Sequence, residues 1–233
     1  MTSSNVTYTA ICARVEAASR RAGHPARLLA VSKTQPATAI RSLADLGQRE
    51  FGENYVQEAL VKQRELAGSG LQWHLIGPLQ SNKCREVAEH FDWLQSLDRD
   101  KLVGLLDRYR PAALLPLNVL IQVNIDDETS KSGCRPDDVA ALAARIAAAS
   151  RLQLRGLMAI PRPHPDLEVR RTAFRRMRAL YDDLRAGHPA VDTLSLGMSE
   201  DFELAIAEGA TMVRIGTALF GTRGSGTADT ANR

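Results

Sequence analysis

Three cysteines, Cys12, Cys84 and Cys134, are all that a chain of 233 residues carries. An odd count with no close pair argues against a disulfide framework or a zinc cluster, fits a reducing compartment, and leaves each as a small buried or half-buried thiol. Also missing is any uninterrupted apolar run near the roughly 18 residues needed to span a bilayer. Met1-Thr2-Ser3-Ser4-Asn5 has no basic stretch leading into an apolar one, so the chain is expected in the cytoplasm without a membrane. Little excess of either sign of charge is present. A formal net charge of +3, from scattered basic residues, does not call for nucleic acid as a partner. The histidines show no metal-ligand spacing, and His74 reads as a core or network histidine. No Pro/Gly/Ser linker and no internal repeat divides the chain.

What is present is a regular alternation. With 44% hydrophobic and 24% charged residues the composition is that of a folded domain. Val6 to Arg21 has helical spacing and precedes any strand. Eight strand-like runs then alternate with helices: Arg27 to Thr34, Glu50 to Asn54, Trp73 to Pro78, Trp93 to Asp98, Leu117 to Asn124, Leu152 to Ile160, Thr193 to Ser199 and Thr211 to Gly221. Within one domain length this favours an α/β fold, a single (β/α)8 TIM barrel with an extra N-terminal helix; an open doubly wound sheet is the alternative. The domain is expected over residues 6–223, between a flexible N-terminus at 1–5 and a disordered tail at 224–233.

In such a barrel the C-terminal strand ends share one face, here carrying Lys33, Asn54, Gly77, Asn124, Met158, Ser199 and the loop after Gly216. Lys33 ends the apolar run Leu28-Leu29-Ala30-Val31-Ser32, ahead of Pro36. A stem held in an apolar strand end loses hydration, which favours the neutral amine and makes Lys33 a candidate for a Schiff base. A lysine that snorkels to water is the plain alternative. The loops after strands seven and eight, Gly197-Met198-Ser199-Glu200-Asp201 and Arg214-Ile215-Gly216-Thr217, suit a phosphate, because glycine admits close backbone N–H groups and the hydroxyls add donors. Ser199 is equally suited to cap the following helix. Arg214, inside an apolar strand, needs an acceptor at the barrel mouth, or an ion pair with Glu53 or Asp98. The polar loop Asp126 to Cys134 is a further place where binding groups gather.

The segments Ala30-Val31-Ser32-Lys33, Phe51-Gly52-Glu53-Asn54-Tyr55-Val56-Gln57-Glu58, Trp73-His74-Leu75-Ile76-Gly77-Pro78-Leu79-Gln80-Ser81-Asn82-Lys83, Gly156-Leu157-Met158, Gly197-Met198-Ser199-Glu200-Asp201-Phe202 and Val213-Arg214-Ile215-Gly216-Thr217-Ala218-Leu219-Phe220-Gly221 together resemble the YggS/PROSC family of pyridoxal 5′-phosphate homeostasis proteins. The family is a single barrel of fold type III, similar to the N-terminal domain of alanine racemase without its second domain. Leu196 stands where many members have methionine, and Leu219 where isoleucine is common.

The resemblance implies pyridoxal 5′-phosphate as cofactor, joined to Lys33 as a Schiff base. It implies Asn54 beside the ring, Ser199 with the Gly216-Thr217 backbone and hydroxyl at the phosphate, and Arg214 facing the pyridine nitrogen. An arginine there disfavours protonation of that nitrogen and weakens the ring as an electron sink. Of the tyrosines, Tyr55 alone follows a strand end, where it is expected to pack. The expected function is therefore cofactor buffering and delivery without turnover, by a monomer with pyridoxal-phosphate-dependent apo-enzymes as partners. A fold-type III racemase or lyase is the alternative, and a Schiff-base aldolase acting on a sugar phosphate a more distant one.

Overall fold

The computed structural model describes residues 3–126 and 132–221. Eight parallel strands close on themselves in sequence order, β1 (Arg27–Val31), β2 (Glu50–Glu53), β3 (Gln72–Leu75), β4 (Trp93–Leu97), β5 (Leu117–Gln122), β6 (Leu152–Met158), β7 (Thr193–Ser195) and β8 (Met212–Ile215). Closure comes from β1 beside β8, with Ala30 opposite Ile215. The expected barrel is the observed one, and every C-terminal strand end therefore opens on one mouth.

The helix α1 (Ser3–Ala22) precedes the barrel and begins three residues ahead of the expected start at Val6. It buries Ile11, Val15 and Ala18, and Arg14 reaches Glu203. The crossover helices are α2 (Ala37–Asp45), α3 (Val56–Glu65), α4 (Cys84–His90), α5 (Asp100–Tyr109), α6 (Val139–Ala147), α7 (Leu167–Gly187) and α8 (Phe202–Ala207).

Side chains alternate across each strand, so one set faces the helices and the other the barrel axis. Ala30, Phe51, Leu75, Leu94, Val119, Leu157, Leu194 and Val213 pack with α-helical residues in the large outer core. Trp93, Leu120 and Met158 make a separate buried cluster that contains no helical residue and belongs to the inner set. The interior is thus filled rather than hollow.

Every strand stops earlier than its apolar run, and the difference is largest for β7 and β8. β7 ends at Ser195, because Gly197 takes φ +84 and turns the chain, and a Cβ there would lie 2.6 Å from Ala205. β8 ends at Ile215, and Thr217–Phe220 form a short helix, α9, rather than continuing the strand to Gly221. Hydrophobic residues alone do not separate a buried strand from a buried helical turn. The expected tail at 224–233 lies outside the described residues, as do residues 127–131 of the loop after β5.

Candidate functional site at the barrel mouth

Lys33 stands two residues beyond β1, at the C-terminal mouth. In β1, Arg27, Leu29 and Val31 share the inner side and Leu28 and Ala30 the outer. Ser32 continues the outer set, buried against β2 and α3, which leaves Lys33 with the inner set at the rim. Lys33 is exposed, however, so the strand end does not enclose its side chain in the apolar surroundings expected. The strand stops at Val31, and the side chain begins where hydrogen bonding to neighbouring strands has ended.

The backbone on each side of Lys33 is held by α3. Lys62 donates from Nζ to the Ser32 carbonyl at 2.8 Å, to Glu53 Oε1 at 2.7 Å and to Glu58 Oε1 at 2.6 Å. Ser32 Oγ donates to Glu53 Oε1 at 2.5 Å, and the Thr34 N–H donates to Glu58 Oε1 at 2.6 Å. Thr34 sits at φ +63, the one non-glycine residue in the left-handed region among those described. Burial pushes the Glu53 carboxyl above its ordinary range, against the opposing pull of Lys62 and Ser32.

Asn54 follows β2 directly and is half-buried. Its backbone is pressed against Gly77, where a Cβ would lie 2.2 Å from the Asn54 carbonyl oxygen. Only glycine allows β2 and the segment after β3 to approach so closely. Ser96 reinforces the contact by donating from Oγ to the Gly77 carbonyl at 2.6 Å.

Ser199, half-buried, lies in the turn between β7 and α8. It does not cap α8. The N-cap position is Asp201, which makes no side-chain bond to the helix; its Oδ1 accepts instead from the Met198 N–H in the preceding turn at 2.9 Å. Gly216 opens α9, with Thr217 exposed beside it. A Cβ on Gly216 would come within 3.1 Å of the Val31 carbonyl oxygen, so this turn adjoins the end of the lysine strand. Lys33 and the β7 and β8 turns therefore share one end of the barrel.

Arg214 is 4% exposed and makes no ion pair with Glu53 or Asp98. Glu53 is engaged by Lys62, and Asp98 by Arg99. Instead, Arg214 donates from Nη1 to the Ser195 carbonyl and to Ser195 Oγ, both at 2.8 Å, and from Nη2 to the Ala159 carbonyl at 2.9 Å. Burial lowers its pKa to about 10, which still leaves it charged at neutral pH. The chain of contacts continues inward: Ser195 Oγ donates to Gln95 Oε1 at 2.8 Å, and Gln95 Nε2 lies 3.0 Å from His74 Nδ1. His74 stacks on Trp93 with ring centroids 5.1 Å apart and is the network histidine expected.

A cavity of about 660 Å³ lies at the other end of the barrel, lined by Tyr8, Arg27, Gln48, Arg49, Glu50 and Gln72 among others. Two pairs of its charged and polar groups bind each other, Arg27 with Glu50 and Tyr8 with Gln48. Size alone does not make it the site of chemistry.

The sequence model of the alanine racemase N-terminal domain matches residues 6–224. A pyridoxal phosphate homeostasis protein of Pseudomonas aeruginosa is 55% identical over 219 residues, covering 93% of this chain and 94% of the relative. Its counterpart in Escherichia coli K12 is 54% identical over 216 residues, covering 90% and 92%. The chain belongs to the pyridoxal phosphate homeostasis protein family.

Among solved structures of this family, PipY of Synechococcus elongatus with pyridoxal phosphate bound is 40% identical, with a TM-score of 0.77 over 89% of this chain and 99% of that one. Alanine racemase from Corynebacterium glutamicum shares the fold at 20% identity and a TM-score of 0.64, and only 64% of it is covered.

Lys33, Asn54, Ser199, Arg214, Gly216 and Thr217, the residues expected from the family motifs, lie at the mouth end of five strands, β1, β2, β7 and β8 contributing them and β6 supplying the Ala159 acceptor. Tyr55, expected to pack, is instead 60% exposed at the N-cap of α3, ahead of the first helical turn. Sequence reasoning missed Gln95 and Ser195, although a polar residue facing the axis within an apolar strand is the available signal. It also missed Lys62, whose role depends on a neighbour in sequence, Glu58, and on one across the fold, Ser32.

Proposed function

We propose that this chain binds pyridoxal 5′-phosphate at the barrel mouth and serves its homeostasis, buffering the cofactor and delivering it to apo-enzymes. The observation that carries the reading is the shared mouth: Lys33 beyond β1, with the turns that follow β7 and β8 at the same end. The residues suit the group. Gly216 gives backbone N–H groups close access to an anion, and the Ser199 and Thr217 hydroxyls add donors for a phosphate. Homologues at 55% and 54% identity, named for this homeostasis, support the same reading.

When bound, the cofactor supplies an aldehyde that Lys33 takes up as a Schiff base. Lys33 is the attachment point in this proposal, Asn54 lies beside the ring, and Arg214 faces its nitrogen. Arg214 arrives there charged and held by Ser195 and Ala159, so it disfavours a proton on the pyridine nitrogen. That makes the ring a weak electron sink and supports storage over amino-acid chemistry. The chain is further proposed to act as a cytoplasmic monomer. Among the described residues no helix is long and apolar enough to cross a membrane.

The test is direct. Protein incubated with pyridoxal phosphate is expected to turn yellow, and borohydride followed by mass spectrometry to place the cofactor on Lys33. Lys33→Ala abolishes the adduct. A panel of amino acids is expected to show no sustained racemisation or cleavage; steady turnover lost in Lys33→Ala would replace the carrier with a fold-type III enzyme. A protein that stays colourless would end the proposal.

A further inference from the structure

Lys33 is exposed, yet both of its flanking residues are tied to a buried group that the family motifs do not single out. Lys62 has a side chain only 6% exposed, and it spends three hydrogen bonds on Ser32, Glu53 and Glu58. Through the Ser32 carbonyl it holds the residue before Lys33. Through Glu58 it holds the residue after, because the same Oε1 that accepts from Lys62 also accepts from the Thr34 N–H.

Thr34 needs such a hold. A β-branched residue in the left-handed region is strained, and such a conformation persists only where surrounding contacts over-determine it. Released from Glu58, Thr34 is expected to relax toward ordinary backbone angles and to redirect the Lys33 side chain with it. Lys62 itself cannot serve as a second amine, since its three donors are committed to the Ser32 carbonyl and to the carboxyl groups of Glu53 and Glu58.

We propose that Lys62 is a positioning residue for Lys33: with Glu53 and Glu58 it clamps the backbone on both sides, holding the Lys33 amine where it can meet the cofactor aldehyde. The inference rests on the function proposed above. In the step concerned, the Lys33 nitrogen adds to the aldehyde carbon, a C=N bond replaces C=O, and one water leaves with the protons released from nitrogen; no oxidant or reductant is needed. Holding the amine in a productive geometry accelerates this addition without strengthening the grip on the phosphate.

The two contributions separate with two ligands. Pyridoxal 5′-phosphate can form the Schiff base, whereas pyridoxine 5′-phosphate, an alcohol in place of the aldehyde, can only occupy the phosphate and ring contacts. Lys62→Met and Glu58→Ala are expected to slow formation of the yellow adduct and weaken pyridoxal phosphate binding by about tenfold or more. Binding of pyridoxine 5′-phosphate is expected to stay within about twofold of the parent protein, well below the effect of lost orientation. Should Lys62→Met fail to fold, Glu58→Ala decides, because it leaves the buried Lys62–Glu53 pair in place.

Parallel loss of both ligands would reduce Lys62 to a general structural residue and overturn the inference, as would unchanged adduct formation in a folded variant. If the parent protein itself forms no adduct on Lys33, it is the function that falls, and that result is read on the parent alone.

Discussion

Arg214 meets Ser195 twice, Nη1 donating to both its carbonyl oxygen and its hydroxyl at 2.8 Å. The same hydroxyl donates to Gln95, so one small side chain joins a buried cation to the polar line that runs to His74. Guanidinium groups are costly to bury without acceptors, and here the acceptors come from β7 and the residue after β6.

Ser195→Ala removes one acceptor from Arg214 and the hydroxyl donor from Gln95 Oε1, leaving buried polar atoms without those partners. The expected loss is about 1–3 kcal/mol of stability, read from urea denaturation. An unchanged midpoint would show that other groups replace both bonds.

His74 makes the stability of the barrel depend on pH. Burial, aided by the charge of Arg27, pushes its imidazole well below the ordinary 6.5, so the folded chain keeps it neutral while the unfolded chain takes up a proton. A depressed folded value means its contribution is complete above the unfolded value and is lost as pH falls below it. Between pH 7.5 and 5.5 the parent protein is expected to lose about 1–2 kcal/mol more than His74→Gln. Urea titrations at the two pH values measure it, and equal losses would mean that His74 is protonated inside the fold.

Gly77→Ala places a methyl group 2.2 Å from the Asn54 carbonyl oxygen, a backbone atom that no side-chain rotation can move. Destabilisation of about 1–3 kcal/mol is expected from the overpacking. Since Asn54 is a proposed cofactor contact, pyridoxal phosphate affinity should fall with it. Thermal unfolding and a spectroscopic titration on the same sample report the two effects.

The cysteines should be slow to react. Burial raises Cys84 to about 11 and Cys134 to about 12, and it raises the half-buried Cys12 as well. Little thiolate then exists near neutral pH. A disulfide reagent at pH 7.5 is expected to label Cys12 first and the other two only on unfolding. Rapid labelling of Cys84 or Cys134 in the folded protein would contradict this.

The alternation of apolar runs with helical spacing was enough to specify eight strands, their parallel order and a common mouth, because each run must bury both of its faces and one domain of this length accommodates a closed barrel. Lys33, Asn54 and Ser199 stand out in the chain itself as polar groups at the ends of apolar runs, and the structure brings those ends to one mouth. Three-dimensional structure alone decided who meets whom. Arg214 turned to Ser195 and Ala159 rather than to a carboxylate, and Glu53 was claimed by Lys62 from the next helix. Such pairings depend on which side of a strand faces the axis and on where it stops, at Val31 and Ile215 here. Apolar patterning cannot supply that endpoint, because a buried strand and a buried helical turn remove the same surface from water.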